Sequence, residues 1–80
     1  MIKVEIRYFG MIAEAVSLTN EEILLEEESS TDAVLEYLYK KYAALKEKRF
    51  EVALNQKIIT KNELITSACE IAILPPFAGG

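Results

Sequence analysis

"SSTDAVLEYLYKKYAALKEK" (Ser29–Lys48) decides the fold, because it is the one stretch of the chain that reads as a long helix. Val34, Leu35, Leu38, Tyr42 and Leu45 recur at three- and four-residue spacing, which gathers them into a single apolar stripe. Ser29, Ser30, Thr31 and Asp32 offer N-cap oxygens and an acidic charge at the positive end of the helix dipole. Glu36 and Lys40 stand four residues apart on the wet side, and the lysines collect toward the C-terminal end. A stripe of this kind needs an apolar surface to lie on. The segments on either side supply it.

Upstream, "IKVEIRYF" alternates, with Ile2, Val4, Ile6 and Tyr8 on one face and Lys3, Glu5, Arg7 and Phe9 on the other. Gly10 ends this strand, "MIAEAV" suits a short helical turn, and "EEILLE" reads as a second strand. Downstream, "FEVAL" and "KII" are two further strands joined through Asn55-Gln56, where the asparagine invites a tight turn. "TKNELITSA" is polar and irregular, with room for one helical turn. In the closing strand "CEIAIL", Ile71 and Ile73 face one way and Ala72 and Leu74 the other. The order predicts one α+β domain over residues 1–80, a mixed sheet with one main helix packed on one face. The second sheet face is then wet or held by a partner. Phe9 and Leu74 fall on it, and Ile58 joins them (Ile59 if the short strand is read one residue out). Either the group is a protein-binding patch, or these are scattered surface apolars.

Composition narrows the function. The apolar share of 51% is too high for a disordered chain, and no apolar run reaches the length of a bilayer span. Met1-Ile2-Lys3 opens directly into alternation, so no signal peptide is expected and the cytoplasm is the expected location. The net charge is −4, with Glu21, Glu22, Glu26, Glu27 and Glu28 crowded together, which disfavours nucleic acid. That acidic edge is either a solvated surface or a field for a basic protein partner. Histidine is absent, which removes Ser-His and Cys-His nucleophile pairs and the commonest metal ligand. Cys69 is the sole cysteine, so there is neither an internal disulfide nor a thiolate zinc cluster, and it reads as a small core hydrophobe. No metal site and no bound cofactor are expected.

The chain ends on "LPPFAGG". Pro75 and Pro76 lack backbone donors, so the last strand's ladder must stop there, and they hold the chain extended. Beyond Phe77 and Ala78 the side chains shrink to nothing. Gly79 and Gly80 let a second protein's walls approach the main chain closely. The tail at residues 75–80 is thus a stiff base carrying a thin tip and a carboxylate. A carboxylate delivered down a narrow channel can attack the α-phosphate of ATP, become an acyl adenylate and be captured by a nucleophile. Nothing in this chain could catalyse that step, which assigns it to a partner.

With "YFGMIAE" after the first strand, then the helix, "LNQKII" and "EIAILPPFAGG", the chain resembles the small subunits of molybdopterin synthase. These are sulfur carriers of the ubiquitin-like β-grasp fold, and the likeness runs over essentially the whole length. The closing Pro-Pro-x-x-Gly-Gly is its most specific mark. The resemblance implies that a ubiquitin-activator-like adenylyltransferase spends ATP to adenylate Gly80, and that a sulfur donor converts the adenylate to a C-terminal thiocarboxylate, a thioglycine. Residues Pro75, Pro76, Phe77, Ala78 and Gly79 would then enter the active site of the large synthase subunit in a heterotetramer. There Gly80 would give its sulfur to a cyclic pyranopterin. Phe9, Ile58 and Leu74 match hydrophobic interface positions of the family.

Three positions depart from the family pattern. Ala13 stands where Arg is common, "SACE" replaces an Asp-Gly-Asp-Glu turn, and Phe77 stands where a smaller Val is usual. The alternatives left open are a carrier for thiamine or tungsten-cofactor assembly and a ubiquitin-like modifier or interaction domain.

Overall fold

A computed structural model describes residues 1–76. Strand β1 (Ile2–Tyr8) buries Val4, Ile6 and Tyr8 and leaves Lys3 and Arg7 exposed, as its alternation requires. Helix α1 (Gly10–Val16) follows, then β2 (Asn20–Leu25), which returns antiparallel to β1 with Val4 opposite Ile23. The "MIAEAV" segment is thus a helix of nearly two turns rather than a single turn. It buries Ile12 and Val16 against the core.

The main helix is shorter than its periodicity suggests. Helix α2 spans Thr31–Lys41, breaks at Tyr42 (φ −127°, ψ 89°), and continues only as a 3₁₀ turn over Ala43–Glu47. The break leaves Leu45 buried although it lies beyond the α-helix. Within α2, Val34 and Leu38 are buried and Leu35 half-buried, so the stripe does pack on the sheet. Ser30 is the N-cap, its Oγ accepting from Ala33 N–H at 3.2 Å. Glu36 and Lys40 form no ion pair among the described residues; Lys41 instead reaches Glu21 on β2 at 2.6 Å.

After the helix come β4 (Glu51–Leu54), β5 (Lys57–Ile59) and β7 (Cys69–Leu74). The five long strands form one sheet in the order β2-β1-β7-β4-β5. Strand β7 lies parallel to β1 and antiparallel to β4, so strands from the two ends of the chain make the centre of the sheet. The β4–β5 hairpin turns on Asn55 (φ 49°) and Gln56 (φ 71°), both left-handed as a two-residue primed turn demands.

The "TKNELITSA" stretch holds no helix. Instead β6 (Leu64–Ile65) pairs with β3 (Ser29–Ser30) just ahead of α2. This small ladder brings Asn62 to the helix start, where its Oδ1 accepts from Asp32 N–H at 2.9 Å and from the buried Thr31 hydroxyl at 3.2 Å. A second, non-local cap therefore joins Ser30 in satisfying the free N–H groups of the first turn.

Candidate functional site

The face of the sheet away from α2 carries the candidate site. Directly opposed residues across a sheet point to the same side, so Arg7, Ala72, Ala53 and Ile58 form one row across β1, β7, β4 and β5. The two alanines at the middle are nearly side-chain-free floor. Around them stand Phe9 (39% exposed), Ile58 (48% exposed) and the half-buried Leu74, enclosing a hollow of about 550 Å³. The three residues expected on this face are brought together. Ile59 is not among them: it packs against the core, which fixes the register left open by the sequence.

Phe9 is held by its backbone. Its N–H donates to the Ile73 carbonyl at 3.2 Å, extending the β1–β7 ladder, and its own carbonyl accepts from Ile12 and Ala13 at the start of α1. The backbone of Phe9 is therefore fixed at the rim while its ring stays partly exposed. Arg7 lies over it at 5.7 Å from the ring centroid, and its Nη1 also meets Glu70 at 3.4 Å. The turn carrying Ile58 is tied down as well: Asn55 N–H donates to the Glu70 carbonyl at 2.8 Å, and Glu70 N–H donates to Asn55 Oδ1 at 2.9 Å. Arg7 and Glu70 were legible by alternation as residues of this face. Their pairing at its rim depends on β1 and β7 being neighbours.

Pro75 continues β7 from Leu74 and is half-buried; Pro76 is exposed. Gly10 adopts φ +55°, and a Cβ there would lie 2.9 Å from Pro75 Cγ. The base of the tail is thus seated on a position that only glycine fills without strain. The hollow and the tail base adjoin through β7. Phe77, Ala78, Gly79 and Gly80, named above as tail residues, lie outside the described residues.

A polar cluster braces the sheet behind this face. The Glu21 carboxylate accepts from Tyr8 and Tyr42 hydroxyls and from Lys41 Nζ, each at 2.6 Å. Burial pushes its carboxyl up, but the hydrogen bonds from Lys41, Tyr42 and Tyr8, with the Lys41 charge, outweigh that and hold it below the ordinary glutamate range. Burial, with the Glu21 hydrogen bond next, raises the Tyr8 and Tyr42 phenols. Cys69 is half-buried against the core, and burial pushes its thiol up, away from a reactive thiolate. Among the described residues no group of three or more His, Cys, Asp or Glu could hold a metal ion, and no helix is long and apolar enough to cross a membrane.

The mixed sheet grasping one main helix is the ubiquitin-like β-grasp. The profile of the ThiS family matches residues 6–80, and the chain belongs to that family. It is 32% identical to a molybdopterin synthase sulfur carrier subunit from Mycobacterium tuberculosis, over the full length of both. Among solved structures it is similar to a chain of the protein–protein complex of subunits 1 and 2 of molybdopterin-converting factor from Helicobacter pylori. That match has 27% identity, covers 99% of this chain and 100% of that one, and has a TM-score of 0.68. It is also similar to small archaeal modifier protein 1 from Methanosarcina acetivorans, at 25% identity over 100% of this chain and 98% of that one, with a TM-score of 0.77.

Proposed function

We propose that the chain is the sulfur-carrier subunit of a molybdopterin synthase. The observation that carries this reading is the apolar hollow around Ala53 and Ala72, which shares β7 with the base of the Pro-Pro-Phe-Ala-Gly-Gly tail. A partner seated on the hollow receives the tail in a defined direction, because Gly10 and the β1–β7 ladder orient Pro75. The family membership and the full-length likeness to a sulfur carrier subunit support it further.

In this reading the Gly80 carboxylate attacks the α-phosphorus of ATP on an activating enzyme, releasing pyrophosphate and leaving an acyl adenylate. Sulfide (HS⁻) released by a donor protein attacks the acyl carbon, the C–S bond forming as the bond to AMP breaks. The resulting thiocarboxylate, its proton lost to solvent, is anionic at neutral pH and a far better nucleophile than the carboxylate. The tail then enters the large synthase subunit, which supplies the catalytic side chains that this histidine-free chain lacks. The thiocarboxylate sulfur bonds to a cyclic pyranopterin as the molybdopterin dithiolene is built. Water then cleaves the acyl C–S bond, leaving the sulfur on the pterin and returning Gly80 to a carboxylate. The cytoplasm is where this exchange would take place.

The likeness to a small archaeal modifier favours a second reading, in which the same adenylate is captured by a lysine amine and the chain becomes an isopeptide-linked modifier. Intact mass spectrometry with the activating enzyme, ATP and a sulfur source separates the two. The carrier gains one oxygen-to-sulfur mass difference at Gly80; the modifier gains a second protein. Deleting Gly80 is expected to abolish thiocarboxylate formation with folding stability unchanged. Full thiocarboxylation of that deletion would sink the carrier reading.

A further inference from the structure

The sheet has a second open surface at its β2 edge, lined by residues other than those of the hollow. Strand β2 is an edge strand. Tyr8 N–H donates to the Thr19 carbonyl at 2.9 Å, and in this antiparallel register the bonded pairs then recur at Ile6/Glu21, Val4/Ile23 and Ile2/Leu25. The backbone N–H and C=O groups of Glu22 and Leu24 therefore point out of the sheet edge. Beside this edge runs a groove of about 410 Å³, with Ile23 and Leu25 on one wall and Ala33, Val34 and Tyr37 of α2 on the other. Tyr37 is 47% exposed, and on the opposite face of the edge Leu24 is 57% exposed.

Charge selects what could lie there. Glu26, Glu27 and Glu28 are exposed where β2 ends and form no ion pair among the described residues. Glu22 meets only Lys3, at 3.9 Å and with both side chains more than half exposed, a contact of little strength. Lys41, the cation at the other end of the groove, is already taken by Glu21. A second copy of the chain would set these carboxylates against one another, and the chain already carries a net charge of −4. An unpaired edge of this kind is a template for a strand of another protein, and the acidic residues along it reject acidic strands.

We propose that the groove between β2 and α2 binds an extended basic peptide segment of a partner protein as an added strand. Alternate apolar residues of the segment fill the groove against Ile23, Leu25 and Tyr37. The intervening Lys or Arg residues lie over Glu22, and those flanking the strand meet Glu26–Glu28. The inference stands on the groove alone and does not depend on the chemistry proposed for Gly80.

The test uses the full chain and a synthetic peptide of alternating valine and lysine, with a valine–glutamate peptide as control. Binding is read by fluorescence anisotropy and mapped by amide chemical shifts and hydrogen exchange. The lysine peptide is expected to bind at least about tenfold more tightly than the control and to weaken with salt. Glu22 and Leu24 amides are expected to gain protection. Ala33→Arg, on the exposed face of α2, is expected to fill the groove and weaken binding about tenfold with the helical spectrum intact. Reversing Glu26, Glu27 and Glu28 to Lys should weaken the lysine peptide and strengthen the control. Equal binding of both peptides, shifts centred on Phe9 and Ile58, or self-association by sedimentation in place of peptide binding would each overturn the proposal.

Discussion

The two faces of the central sheet are built from the same strands, and both carry apolar side chains. Toward α2, Val4 and Ile6 of β1 and Ile71 and Ile73 of β7 are completely enclosed and interdigitate with Leu38 and Leu45. Away from α2, alternate residues of β1, β7 and the neighbouring β4 give Arg7, Glu70 and the two-alanine floor, with Phe9 and Ile58 standing open at the edge. The first face is filled by the chain itself. The second is a shallow recess, with small residues in the middle and larger ones at the rim. Hydrophobicity alone does not separate the enclosed face from the open one. The sizes of neighbouring residues do.

Substitutions on the two faces should therefore fail differently. Ile71→Ala removes buried methylene groups from the filled face and is expected to cost about 2–5 kcal/mol of folding stability, measured by denaturant titration. On the open face, Phe9→Asp and Ile58→Asp are each expected to weaken binding to the large synthase subunit by about 2 kcal/mol or more, read by titration calorimetry. Their stability should change little. Phe9 is the N-cap of α1, with an extended backbone and no side-chain cap bond, so an aspartate there should leave stability level or raise it by up to about 1 kcal/mol. A large stability loss with unchanged affinity would exchange the roles of the faces.

The Glu21 cluster braces the filled side, and its effect should depend on pH. Because the Glu21 carboxyl is held low in the folded state, its stabilisation is complete above the ordinary glutamate value of about 4.3 and is lost as pH falls through the lowered folded value. Glu21→Gln is thus expected to cost about 1–3 kcal/mol near neutrality, with the gap to the parent closing in acid. A gap independent of pH would mean that packing, not charge, accounts for the cluster. The smallest change is Gln56→Gly, which relieves a left-handed φ of 71° and is expected to add about 1 kcal/mol or less.

How much of this was legible in the sequence differs by element. The faces of β1 and β7 followed from strict alternation, and the core stripe of α2 from its spacing; the structure places Val4, Ile6, Val34, Leu38, Ile71 and Ile73 as that patterning required. Strands β3 and β6 were not legible, because two-residue strands have no period to detect and "TKNELITSA" offers only polarity. Nor was the break at Tyr42. The apolar spacing runs through it to Leu45, and only the path of the chain shows that Leu45 reaches the core from a 3₁₀ turn. The i,i+4 pair expected of Glu36 and Lys40 did not close, whereas Lys41 found Glu21, twenty residues away and partly buried. An exposed helical pair gains little, while a carboxylate already held by two tyrosine hydroxyls offers a fixed partner.

By itself the sequence determined the longer strands and the core of the main helix, which side of each of those strands is apolar, and that the ladder of the last strand stops at Pro75 and Pro76. These are local properties, set by periods of 2 and 3.6 residues and by the backbone limits of proline and glycine. The tertiary structure decided which strands are neighbours, and everything about the site that depends on it. Pairing β1 with β7 joins the two ends of the chain, sets Arg7 against Glu70, lays Ala53 beside Ala72, and brings Gly10 under Pro75. Such contacts carry no periodic trace in the chain. They arise when strands distant in sequence settle into the one register that buries both apolar rows under the helix.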